Sequence, residues 1–156
     1  MINTFQDLLT FENIYLFANW GVVPFWILLI LIPNHSITKF FCHSIIPFLL
    51  LGIAYIYVSY QIILEEKIFD GFKLYLGLDG LDEIYANESL MLVIWLHFLA
   101  ISLFTGAWMA RDSSKYMVPK ILSIPCITIT YFAGPIGIII YWFFRLFYAR
   151  KINFND

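Results

Sequence analysis

The sequence predicts an all-α integral membrane protein, with residues 1–156 forming a single domain built as a compact bundle of four transmembrane helices. Of its 156 residues, 62% are hydrophobic and only 13% are charged, whereas soluble domains have roughly 45–50% apolar and about 25% charged residues. A chain this short cannot bury so many apolar side chains in one core. The composition therefore excludes a soluble enzyme and a disordered protein, and a net charge of −2 leaves no basic surface for nucleic acid.

Four apolar runs reach the roughly 20 residues that a helix needs to cross a bilayer core. Because a chain in lipid must satisfy its own backbone hydrogen bonds, each run is predicted to be a helix. The runs end at a helix-breaking or charged residue, in order Pro33, Glu65, Arg111 and Arg145. The predicted spans cover approximately residues 11–32, 41–64, 89–110 and 121–144.

The one long connection, Glu65 to Glu88, lies between the second and third spans. It mixes acidic residues and glycines with apolar ones such as Phe69, Phe72 and Tyr75, which favours a short helix at the membrane interface over a fifth span. With four spans, both termini are expected on one side of the membrane. The nine Lys and Arg then divide five to four between the two sides, a split too even to orient the protein by the positive-inside rule.

Each predicted span carries an unusual residue at a similar depth. At a helical rise of about 1.5 Å per residue, Asn19, Tyr57, His97 and the pair Gly134-Pro135 all lie roughly 10–15 Å from the side that holds the N-terminus. Polar groups inside a span are costly and are therefore candidates for function. We expect the side chains of Asn19 and His97 to point into the bundle and to come close together.

Two interpretations of this polar layer remain open. It lines a pocket, or Asn19 and His97 form a hydrogen bond that only fastens the helices, worth about 0.6–2 kcal/mol. Pro135 has no amide hydrogen and disrupts the bond to the carbonyl of Tyr131, while Gly134 allows a close backbone approach, so Gly134→Leu is expected to disrupt the bundle. Further candidates for structural or pocket roles are Pro24, Trp26, Trp95, Ser102, Trp108, Arg111, Asp112, Gly134 and Pro135.

Two of these candidates have ordinary explanations in the sequence. One face of the third span carries, at a spacing of three to four residues, Ser102, Thr105, Met109 and Asp112. Small residues on such a face usually mark helix packing. Asp112 also follows Arg111 directly at the predicted membrane edge, so a solvated ion pair between the two is expected.

No metal ion or other cofactor is expected. Cys42 and Cys126 show no metal-ligand spacing with a histidine and are expected to be small apolar residues within helices. A haem between His43 and His97 is not expected either. Axial ligands approach one iron at a similar depth, whereas these histidines are predicted to lie roughly 15 Å apart along the membrane normal.

Three motifs in the first, third and last spans occur together. They are Asn19 with Pro24-Phe25-Trp26, then Trp95-Leu96-His97 with Gly106-Ala107-Trp108, and finally Phe132-Ala133-Gly134-Pro135-Ile136-Gly137. In order and spacing, they resemble the neoxanthin-synthase-like family, the relatives of the plant abscisic-acid-deficient-four protein. The resemblance covers most of the chain from Phe17 to Arg145.

This resemblance implies a four-helix membrane protein that acts on a carotenoid, a xanthophyll or a related isoprenoid lipid. The plant member is linked to converting the xanthophyll epoxide violaxanthin into the allenic neoxanthin, an isomerisation in which an epoxide opens while a polyene proton leaves. Under this hypothesis His97 is the acid–base group, Asn19 orients it or the epoxide, and Tyr57 supplies a hydroxyl.

The chain departs from the family pattern at three positions. Where the family usually has Asp, Arg and His, this chain has Ser102, Ala107 and Lys120, respectively. The missing acid favours a second class of function, a non-catalytic carotenoid- or lipid-binding subunit or an assembly partner of another membrane protein. The expected partners are membrane lipid, a carotenoid or isoprenoid ligand, and either a second copy of the chain or another membrane protein. The expected location is a bacterial inner (plasma) membrane.

Overall fold

A computed structural model describes residues 9–67 and 69–150, and within these ranges the chain is helical with no strand. The helices are α1 (Phe11–Leu31), α2 (Ser36–Cys42), α3 (Ile46–Leu64), α4 (Leu78–Tyr85), α5 (Glu88–Lys115) and α6 (Lys120–Ala149), with a 3₁₀ helix at Asp70–Tyr75. The prediction of an all-α fold is confirmed.

The four predicted spans are confirmed as stretches that, by length and composition, could cross a membrane: Phe11–Leu31, Ser36–Leu64, Glu88–Lys115 and Lys120–Ala149. The second stretch consists of α2 and α3, which are separated at residues 43–45, and not of one continuous helix. The last two continue several residues beyond the predicted ends. A charged residue lowers the local hydropathy without ending a helix, and both Arg111 and Arg145 lie inside helices.

The long connection contains the 3₁₀ helix and α4 rather than one short helix. Lys73 joins them, since its ammonium donates to Glu83 at 2.6 Å and lies 3.1 Å from Asp70. The hydrogen bond to Glu83 and that to Asp70 raise the pKa of Lys73. Several apolar side chains of this connection are exposed: Phe69, Phe72, Tyr75, Leu76 and Leu78. Its predicted location at the membrane interface stays a prediction.

The chain divides into two compact units. The first unit comprises the residues up to 21 together with 48–100, and the second unit comprises 22–47 together with the residues from 101 onwards. In the first unit, α5 buries Leu92, Leu96 and Leu99. In the second, the buried residues include Trp26, Leu29, Met109 and Ile127.

Helix α6 consists of two arms that fold back on each other. Ala133 has φ −141° and ψ 59°, outside the helical region. A Cβ added to Gly137 would lie 2.6 Å from the amide nitrogen of Thr130 and 2.7 Å from the carbonyl oxygen of Cys126. In a straight helix, residues seven and eleven apart are separated by about 10 and 16 Å along the axis. The chain therefore reverses at Ala133, between a first arm (120–132) and a second arm (134–149).

The closest backbone approach in α6 is at Gly137 and not, as the sequence indicated, at Gly134. A Cβ on Gly134 would meet only the Ser102 hydroxyl oxygen, at 3.7 Å, which is an ordinary contact. The two glycines differ in their position on the second arm. Gly134 begins that arm, whereas Gly137, about one turn later, faces the first arm.

Candidate functional site: a buried acid, arginine and tyrosine

The second unit buries a carboxylate and a guanidinium together. Asp112 on α5 is 7% exposed, and Arg145 on the second arm is 0% exposed. The Arg145 Nε donates a hydrogen bond of 2.7 Å to Asp112 Oδ2, and the hydroxyl of the fully buried Tyr141 donates to the same oxygen, also at 2.7 Å. Buried charges cost several kcal/mol each unless they are paired and hydrogen-bonded. Here the two charges are paired, and one oxygen of Asp112 accepts two hydrogen bonds.

Aromatic rings surround the guanidinium. Its central carbon lies 4.7 Å from the ring centroids of both Tyr116 and Trp142. Trp108 stacks on Trp142 with a centroid distance of 6.2 Å and meets Tyr141 edge-on at 5.8 Å. A desolvated cation over an aromatic face gains about 2 kcal/mol or more, so these rings stabilise the charge that Asp112 neutralises.

The local structure explains how residues distant in sequence reach one point. Tyr141 and Arg145 are four residues apart and so share one face of the second arm. The reversal at Ala133 brings that face to Asp112. From the sequence, the last span is expected to end at Arg145. The apolar residues 146–149 that follow it continue the helix, so Arg145 lies inside it. That continuation was the available signal for an arginine within the helix.

The expected ion pair between Asp112 and Arg111 is wrong. Arg111 is exposed, while Asp112 is buried and paired with Arg145. Successive residues of a helix do not face each other, so two adjacent charges at a helix end are poorly placed to pair when one of them faces the core.

The cluster combines three groups suited to proton transfer. A carboxylate can accept a proton and a phenol can donate one, while an arginine stays charged and stabilises a developing anion. Electrostatic interactions of this kind gain strength in a site that excludes water. The arrangement can therefore protonate an oxygen and accept a proton from carbon without any change of oxidation state.

The predicted pairing of Asn19 with His97 in the first unit is wrong. The Asn19 Oδ1 accepts a hydrogen bond from the indole nitrogen of Trp95 at 3.1 Å, and its Nδ2 donates to the carbonyl of Tyr15 at 2.7 Å. His97 is exposed. Depth along a helix was predicted from the sequence, but the rotation of α5 is set by its buried leucines. Because successive residues are about 100° apart around the axis, His97 is turned away from its buried neighbour Leu96.

The hydrogen-bonded Asn19 and the exposed His97 are expected to contribute differently to stability. Asn19→Ala is expected to lower the free energy of unfolding by about 0.6–2 kcal/mol, because it removes an interhelical hydrogen bond. His97→Ala is the matched control and is expected to stay within about 0.5 kcal/mol of the wild type. Both values come from denaturation in detergent. A larger loss for His97→Ala would show that it does face a protein partner.

Tyr57 contacts the segment just before α1 in the first unit. Its hydroxyl donates to the carbonyl of Leu9 at 3.4 Å, next to the start of α1. A cavity of about 400 Å³ opens there. Its lining residues are Leu9, Thr10, Phe11, Glu12, Tyr57, Gln61 and Glu88.

The remaining predicted residues divide between buried and exposed positions. Trp26 is buried and packs on Tyr131 at a centroid distance of 5.1 Å, and Ser102 and Gly134 are buried too. Trp95 and Trp108 are half-buried, while Pro24 and Pro135 are exposed.

These features define a helical membrane-spanning protein with a buried acid–arginine–tyrosine cluster. The chain belongs to the ABA4-like family, described as ABA DEFICIENT 4-like, whose model matches residues 13–141. This confirms the resemblance found in the three motifs. The matched segment includes Asp112 and Tyr141, while Arg145 lies just beyond it.

The chain is also similar to a plant protein. The chain is 24% identical over 110 residues to Protein ABA DEFICIENT 4, chloroplastic, of Arabidopsis thaliana, in an alignment that covers 69% of this chain and 50% of the plant protein. It thus spans about half the length of this curated relative. No solved structure matches the chain.

Proposed function

We propose that this protein isomerises a xanthophyll epoxide in the membrane to an allene, with Asp112, Tyr141 and Arg145 as the reacting groups. Family membership supports a carotenoid as the ligand. The observation that carries the chemistry is the single carboxylate oxygen of Asp112, which accepts from both Tyr141 and Arg145 inside the protein. His97, the acid–base group implied by the resemblance, is exposed and is not part of this proposal.

The proposed reaction balances without a cofactor. The Tyr141 hydroxyl gives its proton to the epoxide oxygen as the ring C–O bond breaks. The electrons of a C–H bond on the adjacent polyene carbon form the new double bond of the allene, and Asp112 accepts that proton. Asp112 then returns a proton to the Tyr141 oxygen along their existing hydrogen bond, while Arg145 stabilises the anionic charge throughout.

The test is conversion of violaxanthin in membranes that contain the full chain, followed by chromatography. Tyr141→Phe is expected to reduce the rate at least 100-fold, in line with the roughly 10²–10⁴-fold contribution of general acid catalysis. His97→Gln is the control and is expected to retain the rate. If Tyr141→Phe is folded and keeps the wild-type rate, the assignment is wrong.

A second candidate is a non-catalytic carotenoid- or lipid-binding subunit, or an assembly partner of another membrane protein. The observation that favours it is Ser102, a buried residue at a position where the family usually has an acid. Pigment that copurifies with the wild type and remains unchanged after incubation would support this candidate over the isomerase.

A further inference from the structure

We propose that α6 enters the membrane and returns to the side from which it came, as a re-entrant helical hairpin, so that the chain crosses the bilayer three times. This concerns the topology of the protein and is independent of its proposed chemistry. It replaces the expectation from hydropathy that both termini lie on one side.

The first argument is the contact between the two arms. Gly137 lies against Thr130 and Cys126 of the first arm, so the second arm runs back along the first. Thr130 is buried, and its hydroxyl donates to the Cys126 carbonyl at 2.8 Å. A glycine facing this turn allows the two backbones to approach closely.

The second argument is where the second arm ends. Its Arg145 pairs with Asp112 in the last turn of α5 and lies over the ring of Tyr116, which directly follows α5. The connection from α5 to the first arm begins at Tyr116. The end of α6 therefore lies beside its own beginning, within the second unit.

The third argument is arm length. The first arm has 13 residues and the second has 16, which correspond to about 20 and 24 Å of helix. Each is shorter than a hydrocarbon core of about 30 Å. Non-helical backbone at membrane depth is tolerated where protein covers it. The non-helical Ala133 is half-buried, and the adjacent Gly134 is buried.

The distribution of basic residues supports this topology independently. With three crossings, five basic residues of the described ranges fall on the side of the α1–α2 and α5–α6 connections: Lys39, Arg111, Lys115, Lys120 and Arg150. The opposite side has only Lys67 and Lys73, and Arg145 is buried in its ion pair. Four crossings leave a nearly even split, whereas three give the asymmetry that the positive-inside rule requires.

In a bacterial plasma membrane, the side with these five basic residues is the cytoplasmic side. The contact of Arg145 with Tyr116 places the buried cluster toward that side of the second unit. Under the proposed function, a substrate reaches the reacting groups from the cytoplasmic leaflet. The topology test needs no substrate, so its outcome is separate from that of the activity assay.

The experiment is sided labelling of single cysteines in the full chain with a membrane-impermeant maleimide. The labelled positions are Arg150→Cys, Met117→Cys in the α5–α6 connection and Tyr75→Cys in the long connection. Met117 and Tyr75 are 83% and 84% exposed. The native Cys42 and Cys126 are buried and are replaced by alanine.

Arg150→Cys is expected to react from the same side as Met117→Cys and from the side opposite to Tyr75→Cys. Reaction of Arg150→Cys from the Tyr75→Cys side would overturn the proposal. If the alanine background fails to fold, the same variants are made with the native cysteines retained, and the unsubstituted chain measures the background reaction. A permeant maleimide must label all three positions in either background.

Discussion

Arg145→Met is expected to lower the free energy of unfolding by about 3–5 kcal/mol, because it leaves the carboxylate of Asp112 buried without its counter-charge. The ion pair is almost inaccessible, with side-chain exposures of 0% for Arg145 and 6% for Asp112. Screening by solvent is therefore weak. Chemical denaturation in detergent measures the loss.

Arg111→Met is the matched control, because Arg111 is next to Asp112 in sequence yet exposed. It is expected to change stability by no more than about 0.5 kcal/mol. The double variant Asp112→Leu with Arg145→Met removes both charges and should recover much of the loss, since an apolar replacement of a buried ion pair is often neutral. Equal losses for the two arginine variants would contradict the observed pairing.

Gly137→Ala is expected to destabilise the protein by about 1–3 kcal/mol, the usual cost of overpacking a tight site. The new methyl group would lie 2.6 Å from the Thr130 amide nitrogen and 2.7 Å from the Cys126 carbonyl oxygen. These are backbone atoms and cannot rotate away as a flexible side chain can. The two arms of α6 would have to separate.

Gly21→Ala provides the control for helix propensity. Gly21 lies within α1 and has no atom within 4 Å of an added Cβ, so alanine there should stabilise the helix by roughly 0.5–1 kcal/mol. The two substitutions are chemically identical and opposite in expected sign. If Gly137→Ala were as stable as Gly21→Ala, the close packing of the two arms would be refuted.

The positions of the helices were predictable from the sequence with good accuracy. The apolar runs of spanning length are largely helical in the structure, although the second is interrupted at residues 43–45 and the fourth at Ala133. The breaker Pro33 and the acidic Glu65 fall directly after or close to helix ends. These features depend on residues near one another in sequence. Family membership was likewise readable from three short motifs in the right order.

The candidate site was only partly predictable. Asp112 was identified, but its partner was assigned to Arg111 because that residue is adjacent. Tyr141 and Arg145 were not identified, since their approach to Asp112 requires the reversal at Ala133. A Gly-Pro pair in an apolar run indicates a disrupted helix, but it does not indicate the direction in which the chain continues.

The rotation of each helix and the course of α6 depend on the folded protein. Hydropathy and helical rise convert a residue number into a depth, which is why Asn19 and His97 were expected at one level. They do not specify which face of a helix turns inward, and the packing of Leu92, Leu96 and Leu99 turned His97 outward. Long-range contacts such as Arg145 with Asp112 form only when packing, charge pairing and backbone reversal are satisfied together, and no single segment of the chain contains that information.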